Sequence, residues 1–156
     1  SYSSTLVAAV AAADVLALCA ESQPGGEGAI TAERLRALGR QARVINDREA
    51  VRAARTGRMV VTGADAVGPG GVVNKVGTRA LADAAAHRDT PCFAVAGSSK
   101  FLGVDLPAAP PFERTPLSLF TAVLTEEGPK DSDAAAASAR RFALHRELED
   151  LVPQPN

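Results

Sequence analysis

The sequence predicts an open α/β fold: a parallel sheet with helices packed on both faces. Two observations carry this expectation. Short apolar runs of strand length alternate along the chain with segments of helical periodicity, and the strand-like runs are apolar throughout, as strands covered on both faces must be. At 156 residues and 46% hydrophobic content, the chain is long enough to bury one ordinary core, so a single domain is expected.

The elements follow in order. After the opening "SYSST", the apolar stretch at residues 4–12 reads as a helix. "VLALCA" is the first strand, followed by the turn "SQPGGEG" and the helix "AITAERLRALG". That helix aligns Ile30, Leu35 and Leu38 on one face and is stopped by Gly39. "ARVIN" is the second strand. "DREAVRAART" is a short helix with Asp47 as its expected N-cap, and "RMVVTG" is the third strand. A glycine-rich loop then leads into the helix "KVGTRALADAAAHRD", the fourth strand "PCFAVAG" and the fifth, within "LSLFTAVLTEEG". "DLPAAPPFERTP" reads as a long irregular connection. "DSDAAAASARRFALHRELEDL" reads as a final amphipathic helix and "VPQPN" as its frayed end. The chain opens on Ser1 rather than Met and reads as beginning inside a fold.

Composition narrows the function classes. The net charge is −1 and the 17 basic residues are scattered, so there is no electrostatic footprint for direct nucleic-acid binding. The apolar run "LVAAVAAADVLALCA" is broken by Asp14 and is too short to span a bilayer. It also lacks the basic flank of a secretory signal. A cytoplasmic chain with no membrane partner is expected. Cys19 and Cys92 sit in apolar strand-like segments without a second Cys or His at ligand spacing, and they read as buried reduced thiols rather than a disulfide, nucleophile or metal site. No metal or cofactor is called for.

The glycine-rich stretch is the most distinctive feature. Ligands of open parallel sheets collect at the carboxyl ends of the strands, and Asp65 lies just past the third. Glycines at 68, 70 and 71 remove side chains and permit close backbone approach. Asn74 and Lys75 stand just before a helix whose amides favour an anion. Neither a Walker A loop nor a dinucleotide fingerprint fits, since Lys75 precedes Val76 and Val73 stands where a third glycine is needed. By chemistry alone, an acid and a lysine at a strand end serve equally as a ligand site or as a solvated salt bridge capping a turn. "SYSST", "ESQPGGEG" and "GSSK" converge on the same edge, each offering hydroxyls, amides or Lys100 to an anion.

Taken together, "GADAVGPGGVVNKVGTRALADAA" and "TPCFAVAGSSKF" resemble the signature of one family. It joins the alpha, beta and delta subunits of translation initiation factor 2B with methylthioribose-1-phosphate and ribose-1,5-bisphosphate isomerases. "SYSST", "ESQPGGEG" and "FERTPLSLFTAVLTEEG" are similar to it in order and spacing, so the likeness runs from Ser1 to about Gly128. The resemblance implies a Rossmann-like domain over residues 1–128, with residues 129–156 as the carboxy-terminal helix and tail of that domain.

It also implies a ligand, a sugar phosphate or nucleotide monophosphate, and a ligand-binding set of Ser3, Ser4, Glu27, Gly28, Asp65, Asn74, Lys75 and Lys100. Asp65 matches the aspartate that, with a cysteine, shuttles a proton in the isomerases. Glu27 stands where the isomerases carry glutamine. The catalytic cysteine's position matches Ser1 or Tyr2, and neither side chain replaces a thiol titrating near neutrality. The family's amino-terminal helical domain, which supplies phosphate contacts, lies outside the match.

The leading expectation is therefore an initiation-factor-2B-like binding domain that is not a competent isomerase alone. An aldose-ketose sugar-phosphate isomerase completed by other residues is the alternative, and an oligomerisation module the second. The resemblance implies a homo-dimer or higher oligomer, with the alanine-rich "ALADAAA" and "AAAASARRFALH" as surfaces for a partner to cover.

Overall fold

The structure, a computed structural model, describes residues 3–13 and 15–142. Ser1 and Tyr2, at the position expected for a catalytic cysteine, lie outside the described residues, as do Asp14 and the end of the last expected helix with "VPQPN". In chain order the elements are α1 (Ser4–Ala12), β1 (Ala17–Ala20), α2 (Glu27–Ala37), β2 (Ala42–Ile45), α3 (Asp47–Ala54), β3 (Val60–Gly63), β4 (Ala66–Val67) and β5 (Gly71–Lys75). There follow α4 (Thr78–Ala86), β6 (Cys92–Val95), β7 (Phe112–Pro116), β8 (Ala122–Thr125), β9 (Gly128–Lys130) and α5 (Ser132–Arg140).

The five segments expected as strands are strands, and they pair in parallel: β1 with β2, and β6 between β3 and β8. The purely parallel sheet is corrected, however, to a mixed α/β architecture. β9 joins β8 antiparallel, because a two-residue turn closed by Gly128 at φ 114° reverses the chain before any crossover helix forms. A separate three-stranded antiparallel sheet, β4-β5-β7, is built from the glycine-rich stretch and from the second half of the supposed irregular connection.

Helix starts follow capping chemistry. Ser3 caps α1 by accepting a hydrogen bond from the Leu6 amide. Asn46, not Asp47, caps α3 through a reciprocal capping box with Glu49. α2 starts at Glu27, inside the expected turn, behind a left-handed Gly26. The helices α1 and α2 pack on each other, as do α3 and α4, with β1 touching both α2 and α3.

The larger apolar cluster joins α3, α4 and α5 to the strands through small side chains. Ala82, Ala84 and Ala85 of α4 and Ala135, Ala136 and Ala139 of α5 are buried in it. These alanines are covered by the chain's own core, while Ala80, Ala86, Ala134 and Ala137 stay exposed and the end of the second alanine-rich stretch lies outside the described residues. No helix among the described residues is long and apolar enough to cross a membrane.

Candidate functional site

A cleft of about 910 Å³ opens between the β1-β2 and β3-β6-β8 strands, flanked by α1, α3 and α4. Its walls are mostly apolar, with Leu16, Leu18 and Met59 half exposed. Its polar end is formed by the residues that follow β1 and by the end of β5: Ser22, Glu27, Asn74, Lys75 and Thr78, with Asp47 and Arg48 from the start of α3.

β5 positions the central pair. Every residue from Gly71 to Lys75 is buried, so Asn74 and Lys75 sit on a strand and not in a loop. Gly71 allows this, because a Cβ there would lie 2.8 Å from the Thr115 carbonyl of β7. Gly68 and Gly70 likewise make room for Asp105, whose carboxylate accepts from the Gly70 amide at 2.9 Å. The glycines expected to admit a ligand admit the chain itself. Asn74 donates to Thr78 Oγ1 at 2.9 Å, and that hydroxyl donates to the Lys75 carbonyl at 2.9 Å, which joins the strand end to the first turn of α4.

Lys75 Nζ donates to both Glu27 oxygens, at 2.7 and 2.6 Å, and to the Ser22 carbonyl at 3.1 Å. The pair is largely shielded, with 10% of the lysine side chain and 25% of the glutamate side chain exposed. The lysine's hydrogen bonds, followed by Glu27's own backbone amide, hold the Glu27 carboxyl below the usual glutamate range. Glu27 reaches the lysine because Gly28 lets α2 start hard against β1: a Cβ at Gly28 would lie 1.8 Å from the Ala20 carbonyl oxygen.

Several backbone donors at this edge are also held by internal carboxylates. Asp47 accepts from the Ser22 and Gln23 amides at 2.8 and 3.1 Å. Glu113 of β7 accepts from the Gly77 and Arg79 amides at 2.7 and 2.9 Å and occupies the α4 N-terminus where an anionic ligand was expected. Glu126 accepts from the Ser98 amide and hydroxyl, and these bonds hold its carboxyl below the usual range.

Of the residues proposed from sequence, Glu27, Gly28, Asn74 and Lys75 meet at the cleft. Asp65 lies two residues past β3 as expected, but it is exposed and outside the cleft wall; its backbone amide donates to the Val73 carbonyl. Lys100 donates to the Ala64 carbonyl and Ser3 caps α1, and neither they nor Ser4 line the cleft. Arg48, Thr78 and Glu113 are not singled out by the sequence, and Asp47 stands there only as an expected N-cap, although its place just after a strand is the one local signal for this end of the cleft.

Cys19 and Cys92 are buried free thiols. Burial pushes the Cys19 thiol up and the Cys92 thiol to about 12, so neither offers a thiolate at neutral pH. Among the described residues no three His, Cys, Asp or Glu side chains cluster as a metal site.

Fold and cleft together define an α/β domain with a polar cluster at the carboxyl ends of its parallel strands. Residues 2–106 match the initiation factor 2 subunit family. The chain belongs to that family.

It is 41% identical over 85 residues to the ribose 1,5-bisphosphate isomerase of Haloferax volcanii, a stretch that covers 54% of this chain and 26% of that enzyme. In structure it is similar to the translation initiation factor eIF-2B of Pyrococcus horikoshii OT3, with a TM-score of 0.75 and 27% identity. That match covers 83% of this chain and 56% of the other. It also shares its fold with the 5-methylthioribose 1-phosphate isomerase of the same organism, with a TM-score of 0.69 and 23% identity, over 81% of this chain and 44% of that one. The chain thus spans about a quarter of its curated relative and about half of these solved structures.

Proposed function

We propose that this chain is a ligand-binding domain that takes a small phosphorylated sugar or a nucleoside monophosphate at the polar end of the cleft, and that it does not itself isomerise it. The observation that carries the proposal is the convergence of Glu27, Asn74 and Lys75, from elements distant in sequence, on one end of a cleft large enough for such a ligand. Asn74, Thr78 and Glu27 supply hydrogen-bonding groups suited to sugar hydroxyls, and the apolar walls suit a sugar or base face. Against catalysis stand the exposed position of Asp65 outside the cleft and the two thiols held protonated by burial.

Calorimetry with ribose 5-phosphate, AMP and inorganic phosphate tests the binding. Saturable binding of a phosphorylated sugar, weakened by Asn74→Ala, is expected; no binding of any of the three refutes it. Identity to the Haloferax volcanii isomerase favours a second reading, in which the domain forms part of an isomerase site. Turnover of ribose 1,5-bisphosphate by the purified chain, abolished by Asp65→Asn, would establish it.

A further inference from the structure

Several donors along the carboxyl edge are matched by carboxylates of the same chain, and at Lys75 the match determines what the cleft accepts. An ammonium has three donors. Here all three contacts are made, to the two Glu27 oxygens and the Ser22 carbonyl. Lysine and glutamate together carry no net charge, yet the pair still lines the cleft, and Glu27 keeps a quarter of its side chain exposed. A Cβ at Gly25 would lie 2.4 Å from a Glu27 oxygen and 2.6 Å from Lys75 Nζ, so only glycine there leaves room for the pair. Arg48, in the first turn of α3, lines the same cleft, is exposed, and among the described residues pairs with no carboxylate.

We propose that Glu27 is a specificity-determining residue: by neutralising Lys75 it makes the β5 end of the cleft a site for hydroxyl groups and leaves the anionic group of the ligand to Arg48. This rests on the ligand-binding reading above. A phosphate at Lys75 would exchange one charge-assisted contact for another and meet the displaced carboxylate as a like charge. A hydroxyl donates to a Glu27 oxygen without breaking the pair, because a carboxylate keeps lone pairs beyond those the lysine uses. Arg48 offers a planar fork suited to phosphate oxygens.

Calorimetry with inorganic phosphate, ribose 5-phosphate and ribose tests this on wild type, Glu27→Gln, Glu27→Gln with Lys75→Met, and Arg48→Ala. Removing the charge that neutralises Lys75, in Glu27→Gln, is expected to tighten inorganic phosphate at least about ten-fold, the scale of one charge-assisted hydrogen bond. The gain is expected to vanish in the double variant. Arg48→Ala is expected to weaken ribose 5-phosphate by about the same factor and leave ribose unchanged. A Glu27 with a merely structural role yields no gain, so unchanged or weaker phosphate binding in Glu27→Gln, or a gain that survives Lys75→Met, overturns the inference.

Should Glu27→Gln fail to fold, NMR of isotopically labelled, unmodified lysine ammonium groups in wild type reads the same contact. A Lys75 signal unmoved by phosphate is expected, and one that shifts overturns it. The two proposals fail separately. No ribose 5-phosphate binding by wild type, with a phosphate gain in Glu27→Gln, removes the ligand reading alone. Ribose 5-phosphate binding without that gain removes the role of Glu27 alone.

Discussion

Replacing Lys75 by methionine keeps the length of the side chain and removes its charge, leaving the Glu27 carboxylate beside a strand that no longer neutralises it. Exposed ion pairs contribute about 0–1 kcal/mol, and stripping one partner from a fully buried pair costs about 3–5 kcal/mol. The pair here lies between those limits. Its contacts are 2.6 and 2.7 Å and the lysine is 10% exposed, but Glu27, at 25%, can turn part of its carboxylate to water. Lys75→Met is therefore expected to cost about 1–3 kcal/mol, read by urea denaturation, and to lower Tm by about 2–4 °C for each kcal/mol. Glu27→Gln costs less, because the amide oxygen still accepts from the lysine. A double-mutant cycle with both variants isolates the pair, with a coupling of about 1–2 kcal/mol expected.

The pH dependence has a fixed sign. Since the folded Glu27 carboxyl is held below its unfolded value, the stability it contributes is present above the ordinary glutamate pKa of about 4.3. It is lost as pH falls through the depressed folded value. Wild type should lose stability across that acidic window more steeply than Glu27→Gln. A coupling near zero, together with parallel pH profiles, would refute the lock between β5 and α2.

Other consequences are as direct. Gly28→Ala drives a Cβ to 1.8 Å from the Ala20 carbonyl oxygen, so soluble folded protein should be lost, as read by expression and circular dichroism; a folded variant would remove the close approach of α2 to β1. Glu113→Ala uncovers the α4 amides at Gly77 and Arg79 and should cost about 0.5–2 kcal/mol in urea denaturation, the range of a helix cap; no change would mean that water replaces the carboxylate freely. With both thiols buried and raised, the Cys92 thiol to about 12, a thiol reagent at neutral pH should label Cys19 and Cys92 only after denaturation; fast labelling of the native chain would contradict their burial.

Strand identity was legible because it is a local property: "VLALCA", "ARVI", "MVVTG", "CFAVA" and "FTAVL" are apolar enough to be nothing else, and each contains a strand. What escaped was pairing at a distance. Gly71–Lys75 carries loop chemistry in its own letters and becomes a buried strand only because Phe112–Pro116 pairs with it from the far side of a proline-rich connection. The same distance hid Glu113, which register places opposite Asn74 and which holds the α4 amides. Donors at the sheet edge were visible in the sequence, whereas the carboxylates that satisfy them come from 24 to 36 residues away in Asp47, Glu113, Glu126 and Asp105. A sequence shows which groups can receive an anion, and three-dimensional register decides whether the chain supplies it.

If a phosphorylated sugar enters at the Glu27, Asn74 and Lys75 end of the cleft, the backbone amides there must sense it. Amide chemical-shift mapping of the labelled chain during titration with ribose 5-phosphate tests it most directly. Saturable shifts confined to Ser22 and Glu27, the Arg48 turn, Asn74, Lys75 and Thr78 are expected. Shifts centred instead on Gly63 to Ala66 and Ser98 to Lys100, or none at all, would contradict it.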